Sequence, residues 1–109
     1  MFVFREKSNE IDFGQGIRLT DLGGGENMNA LFWQTPAGTV SPVHDHPEEQ
    51  FGYLIKGVFE VTIGEEKKIL KPGDVYHIPG GIPHQFRVIE DTEAIDVFSP
   101  KRPVPEPIQ

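Results

Sequence analysis

The chain has 109 residues, no cysteine and a formal charge of -7, which leaves room for one domain with one modest core and excludes a disulfide framework, a thiolate metal site and a thiol nucleophile. An acidic balance speaks against a nucleic-acid backbone as partner, because that binding runs on clustered Lys and Arg. No stretch approaches an apolar membrane span, and the apolar start Met1, Phe2, Val3, Phe4 is too short for a signal peptide, so a cytoplasmic protein without a membrane partner is expected.

In chain order, residues 1–16 read as an N-terminal arm, an edge strand packing Phe2, Phe4, Ile11 and Phe13 inward around a charged run from Arg5 to Glu10. Residues 17–22 alternate apolar and polar side chains as a half-buried strand does, and Gly23, Gly24 and Gly25 end it. A second strand spans 28–35, with Leu31 and Trp33 at one parity, before Pro36, Ala37 and Gly38 turn the chain. Residues 51–55 and 58–63 read as a hairpin across Lys56 and Gly57, with glycine where a positive φ is needed. Short strands at 67–70 and 75–78 follow, separated by a turn through Pro72 and Gly73; strands at 84–90 and 93–98 are joined at Asp91 and Thr92, and a Pro-rich tail fills 100–109. Nothing sustains a helical period, and many short, evenly spaced strands predict an all-β sandwich or barrel.

The chemistry gathers between Gly38 and Gly57. His44 and His46 are two residues apart, so on an extended strand both imidazoles project from the same face. Gln50 shares their parity and offers a carbonyl oxygen. Glu49 is the rival donor, one residue early and outward-facing under strict alternation. His84 lies beyond a turn through Pro79 and Gly81. The chain holds four histidines, so three of them fall at spacings suited to a metal ion, for which imidazole is a common ligand. The fourth, His77, reads as a rim or surface residue.

Gly38, His44, His46 and Gly57 follow the first motif of the cupin superfamily, Gly-x5-His-x-His-x3-Glu-x6-Gly. Gly73, Pro79, Gly81 and His84 follow the second, Gly-x5-Pro-x-Gly-x2-His-x3-Asn. Over residues 28–100 the chain therefore resembles a cupin, departing from it at Gln50 in place of Glu and Val88 in place of Asn. The resemblance implies a double-stranded β-helix, a jelly-roll barrel formed by the single domain 1–109. It also implies that His44, His46, Gln50 and His84 hold one divalent transition metal: Zn, Ni, Fe, Cu or Mn. Three imidazoles and an amide leave the cation's charge uncompensated, so such a site should favour an anionic ligand.

The ending Asp96, Val97, Phe98, Ser99, Pro100, Lys101, Arg102 and the run from His44 to Gln50 are similar to those of small cupins that linearise 4,5-unsaturated uronates in pectin and alginate breakdown. That resemblance implies Asp96 as acid/base, Arg102 as a clamp on the substrate carboxylate and Phe98 as an apolar wall. Without it, Asp96 reads as a strand-end hydrogen-bonding group, Phe98 as core and Arg102 as a surface cation. Three classes stay open: the uronate-linearising enzyme, another metal-dependent cupin enzyme such as a dioxygenase or sugar isomerase, and a non-catalytic small-molecule-binding cupin. The expected partners are a small anionic sugar-like substrate and a second copy of the chain, because a small domain with apolar Phe2, Val3 and Phe4 favours a homodimer.

Overall fold

Alternating inward and outward side chains build this molecule almost entirely from strands. The computed structural model describes residues 1–106; positions 107–109, the end of the expected tail, lie outside the described residues. The strands are β1 (Asn9–Gly14), β2 (Ile17–Gly24), β3 (Asn29–Thr35), β4 (Glu49–Ile63), β5 (Glu66–Leu70), β6 (Val75–Ile78) and β7 (His84–Ser99). The helical content among the described residues is one 3-10 turn, Arg5–Lys7. None of their helices is long and apolar enough to cross a membrane.

All strand pairings are antiparallel, in the order β1-β2-β3-β7-β4-β5 with β6 also on β4. β4 and β7 organise the barrel. They pair along nearly their full lengths, so the free edge of β4 is shared between β6, beside Gln50 to Tyr53, and β5, beside Phe59 to Ile63. Two apolar clusters fill the interior. Leu54, Phe59, Val61, Tyr76, Ile78 and Val88 belong to one, and Leu19, Leu31 and Phe98 to the other. The result is the all-β jelly-roll barrel expected from the motifs.

Four local expectations are corrected. Residues 51–55 and 58–63 are not two arms of a hairpin but one continuous β4, and 84–90 and 93–98 are likewise one β7. The physical reason is that a glycine with positive φ serves a bulge as well as a turn. Gly57 has φ +86°, and the register against β7 shifts repeatedly between Leu54 and Phe59. The buried parity of β4 accordingly changes from Gln50, Gly52 and Leu54 to Phe59 and Val61, while β7 keeps Thr92, Ala94, Asp96 and Phe98 inward.

In the arm, Ile11 and Phe13 do pack against the Leu19 cluster, but Phe2 and Phe4 are exposed. The charged turn Arg5–Lys7 separates them from the sheet, and Arg5 instead covers Phe32, its Cζ 4.4 Å from the ring centroid. Finally, His44 and His46 do not lie on a regular strand. Residues 38–46 run beside β7 without forming a continuous ladder: they make isolated bridges, Val40 to Arg87 and His44 to His84, and scattered hydrogen bonds such as Ser41 N–H to the Phe86 carbonyl at 2.9 Å. Pro42 and Pro47 lack the N–H that a continuous ladder requires.

Candidate metal centre

The two histidine-bearing segments meet through their backbones. His44 N–H donates to the His84 carbonyl at 3.0 Å and His84 N–H to the His44 carbonyl at 2.9 Å. This bridge sets the His44 and His84 rings 4.2 Å apart, with His46 4.9 Å from His84 and 6.2 Å from His44. Sequence spacing makes His44 and His46 neighbours; only the fold adds His84. Among the described residues no three His, Asp or Glu side chains already form a closed metal-holding cluster, so the fit rests on the individual donors.

Those donors are prepared in the same way. Each imidazole Nδ1 lies against a backbone carbonyl two residues away: His44 on Pro42 at 2.8 Å, His46 on Glu48 at 2.9 Å and His84 on Ile82 at 2.8 Å. A carbonyl can only accept, so each Nδ1 carries the proton and each neutral ring presents its lone pair at Nε2, as a metal-binding imidazole must. The His84 Nε2 is buried without a hydrogen-bond partner. Burial pushes this imidazole down to about 4, opposed by the Ile82 bond and reinforced by the nearby Arg102 cation and by the crowding of a second positive charge among three imidazoles. At neutral pH it is therefore an uncharged, unsatisfied donor.

Gln50 completes the set from β4. It is 4% exposed, and its Oε1 lies 3.0 Å from His46 Nε2. With Nδ1 protonated on the neutral ring, two lone pairs face one another across that gap, so something positive belongs between them: a second ring proton or a metal ion. Two cis donors each about 2.1 Å from one metal would be separated by about 3 Å. The Gln50 side chain also lies near Asp96 and helps to lower that carboxyl's pKa against the effect of burial. Glu49 faces outward and pairs with exposed His77 at 3.0 Å. The neighbouring Glu48 turns inward, its Oε1 3.5 Å from His46 Nδ1. The donors present thus fit a divalent metal.

Beside these donors lie Asp96, Phe98 and Arg102, all brought in by the end of β7. Asp96 is buried and pairs in register with Gly52, whose other neighbour is Tyr76 on β6. A Cβ on Gly52 would run into the Tyr76 ring. Its absence lets the ring cross β4 and donate from its hydroxyl to Asp96 Oδ1 at 2.5 Å. Burial raises the Asp96 carboxyl above the usual range, opposed by the Tyr76 hydrogen bond, the nearby Gln50 amide and the Arg102 cation. Tyr76 itself is pushed well above the ordinary phenol value, first by burial and then by Asp96. Phe98 packs against both the Leu19 cluster and the His46 ring, the latter at 5.6 Å. Arg102 Cζ lies 5.3 Å from the Phe98 ring centroid, and the guanidinium has no salt-bridge partner among the described residues.

Tyr76 and Glu48 escaped the sequence reading. The available signal for Tyr76 was Gly52, since a glycine inside a strand marks close approach by another group. Nothing local marks Glu48, which turns inward only because β4 begins beside it.

Residues 31–98 match the cupin domain family, Cupin_2. The pectin degradation protein KdgF of Dickeya dadantii (strain 3937) is 32% identical over 93 residues, covering 84% of this chain and 84% of that protein. The solved structure of KdgF from Halomonas sp. has a TM-score of 0.86 at 31% identity, covering 94% of this chain and 96% of that one. Oxalate decarboxylase OxdC of Bacillus subtilis (strain 168) is 26% identical over 98 residues, but the chain spans only 26% of that protein's length.

Proposed function

The chain belongs to the cupin domain family, and from that premise we propose that it is a metal-dependent enzyme converting cyclic 4,5-unsaturated uronates to linear keto uronates. One observation carries the reading. Three imidazoles held at Nδ1 by backbone carbonyls, a buried carboxyl at Asp96 and an Arg102 guanidinium without a salt-bridge partner among the described residues lie in one neighbourhood, the His46 ring and Arg102 Cζ being 5.6 Å and 5.3 Å from the Phe98 ring. The similarity to two KdgF proteins, one described as a pectin degradation protein, supports a uronate over other substrates.

The substrate is a cyclic enol ether carrying a carboxylate and a hemiacetal carbon. Opening it breaks the bond between the hemiacetal carbon C1 and the ring oxygen as the C1 hydroxyl gives up its proton. The enol so released becomes a ketone when a proton arrives at C4, so one proton leaves oxygen, one reaches carbon and no net water is consumed. The proton is assigned to Asp96. Tyr76 occupies Oδ1, which leaves Oδ2 as the working oxygen, and burial favours the protonated carboxyl that can deliver to C4. Arg102 meets the substrate carboxylate with its fixed fork of donors, and Phe98 gives the ring an apolar wall. His44, His46, Gln50 and His84 would hold the metal, which when bound supplies Lewis-acid polarisation of an oxygen and attraction for the anionic substrate.

The test is loss of enol-ether absorbance when purified, metal-loaded protein meets unsaturated galacturonate and guluronate monomers. Turnover above the spontaneous rate is expected on at least one. Asp96→Asn keeps size but cannot exchange a proton, and should lower kcat on the order of 100-fold or more with little change in KM. A wild-type rate equal to the spontaneous one sinks the reading. Full turnover by Asp96→Asn would leave the reaction but remove Asp96 from it.

A further inference from the structure

β7 ends at Ser99, and residues 100–106 continue without any strand partner. Arg102, the side chain assigned above to the substrate carboxylate, therefore sits on a segment that no ladder holds. A free segment three residues past a strand could hold a guanidinium only loosely, and a clamp built on it would spend binding energy on ordering itself. Something must fix it.

The fixing contact comes from the far end of the sequence. Asn29 is the first residue of β3, directly across from Phe98, and is buried. Its Nδ2 donates to the Arg102 carbonyl at 2.9 Å, and its Oδ1 accepts the Arg102 N–H at 3.0 Å. The side-chain amide thus offers Arg102 one donor and one acceptor side by side, which is what a neighbouring strand's peptide group would offer. Only a carboxamide of this length does both: a carboxylate lacks the donor, and a hydroxyl is too short to span the two atoms. Two further contacts hold the same segment. Ser99 Oγ donates to the Asn27 carbonyl at 2.8 Å, and Val104 packs against the cluster of Leu19, Leu31 and Phe98. With the backbone of Arg102 pinned, its side chain runs over the Phe98 ring.

We infer that Asn29 is the positioning residue of the carboxylate clamp: it extends the sheet by one side-chain amide and so fixes Arg102 toward the bound anion. The assignment of Arg102 to the substrate carboxylate rests on the function proposed above; the anchoring of Arg102 by Asn29 does not. Asn29 touches no reacting atom. Its effect should therefore fall on substrate affinity and pass through Arg102.

The experiment uses the zinc-loaded 109-residue chain, with Asn29→Ala as first variant and Asn29→Ser as a milder one should the first fold poorly. Amide hydrogen exchange followed by NMR should show the Arg102 N–H exchanging at least about ten-fold faster in the variants, while β3 and β7 amides keep their protection. On the unsaturated uronate, KM should rise on the order of ten-fold with kcat within about two-fold. In an Arg102→Ala background, Asn29→Ala should add less than about two-fold, because two residues acting through one contact are not additive. Unchanged exchange at Arg102 overturns the anchor, whether or not the protein turns over uronates. Faster exchange with an unaltered KM, or a full additive penalty in the double variant, overturns the link to substrate binding. A wild-type protein inert toward uronates removes the proposed function, and the exchange measurement still decides the anchor.

Discussion

His84 shows how burial prepares a metal donor. Its imidazole sits at about 4 rather than 6.5, mainly because the charged form loses its hydration. In metal-free protein between those two values the unfolded chain binds a proton here that the native chain does not, so stability rises with pH across that window. Stability present above about pH 6.5 should accordingly be lost as pH falls toward 4, by on the order of 3 kcal/mol from this residue. Urea titrations of metal-free protein at a series of pH values would read the slope, and His84→Gln should flatten it. A wild-type profile already flat over that interval rejects the account. At this scale the sequence was legible where chemistry is local. The histidine spacings and the parity of Gln50 pointed to side chains that the fold does bring near one another, whereas the Tyr76 hydroxyl on Asp96 and the Asn29 amide on Arg102 depend on strand registers that no local pattern encodes.

Strands 15 and 16 residues long were hidden because their bends carry turn chemistry. Lys56 with Gly57, and Asp91 with Thr92, look like connections; what makes them bends is that the two stand opposite each other in one antiparallel ladder. Gly57 lies against the Asp91 backbone so closely that a Cβ would strike its carbonyl. Backbone on both sides cannot move aside as a flexible side chain would. Gly57→Ala should therefore combine the cost of a positive φ with overpacking and destabilise by roughly 2–4 kcal/mol. Equilibrium urea unfolding should show a lower midpoint at nearly unchanged slope. A loss under about 0.5 kcal/mol would mean that the bend tolerates a side chain and is not fixed by this contact. Because the bend sets the parity of everything before it on β4, Gln50 and Gly52 face inward only if the extra residue is accommodated there.

For the molecule as a whole, the question left by the barrel is what covers its outer face. The bend that turns Gln50, Gly52 and Leu54 inward necessarily turns Phe51, Tyr53 and Ile55 outward. Phe51 and Tyr53 are 49% and 46% exposed. Across the ladder Phe51 is flanked by Val97 and His77, and Tyr53 by Ile95 and Val75, so the apolar side chains form adjacent rows rather than scattered single residues. The polar groups within those rows, Glu49 and His77, already contact each other at 3.0 Å. A chain of net charge -7 would repel its own copy across most surfaces, whereas the rows centred on Phe51 and Tyr53 are mainly apolar. A two-fold contact also needs the same patch on both sides, which a flat, self-similar sheet face supplies. The expected species in solution is a homodimer joined through this face, with twice the 12.2 kDa chain mass by light scattering at micromolar concentration. Phe51→Lys combined with Tyr53→Lys should return it to the single-chain mass, while removal of residues 1–4 should not. A wild-type mass of one chain rejects the dimer; a dimer that survives both lysines but not loss of the N-terminal residues moves the contact to Phe2, Val3 and Phe4, which are also exposed.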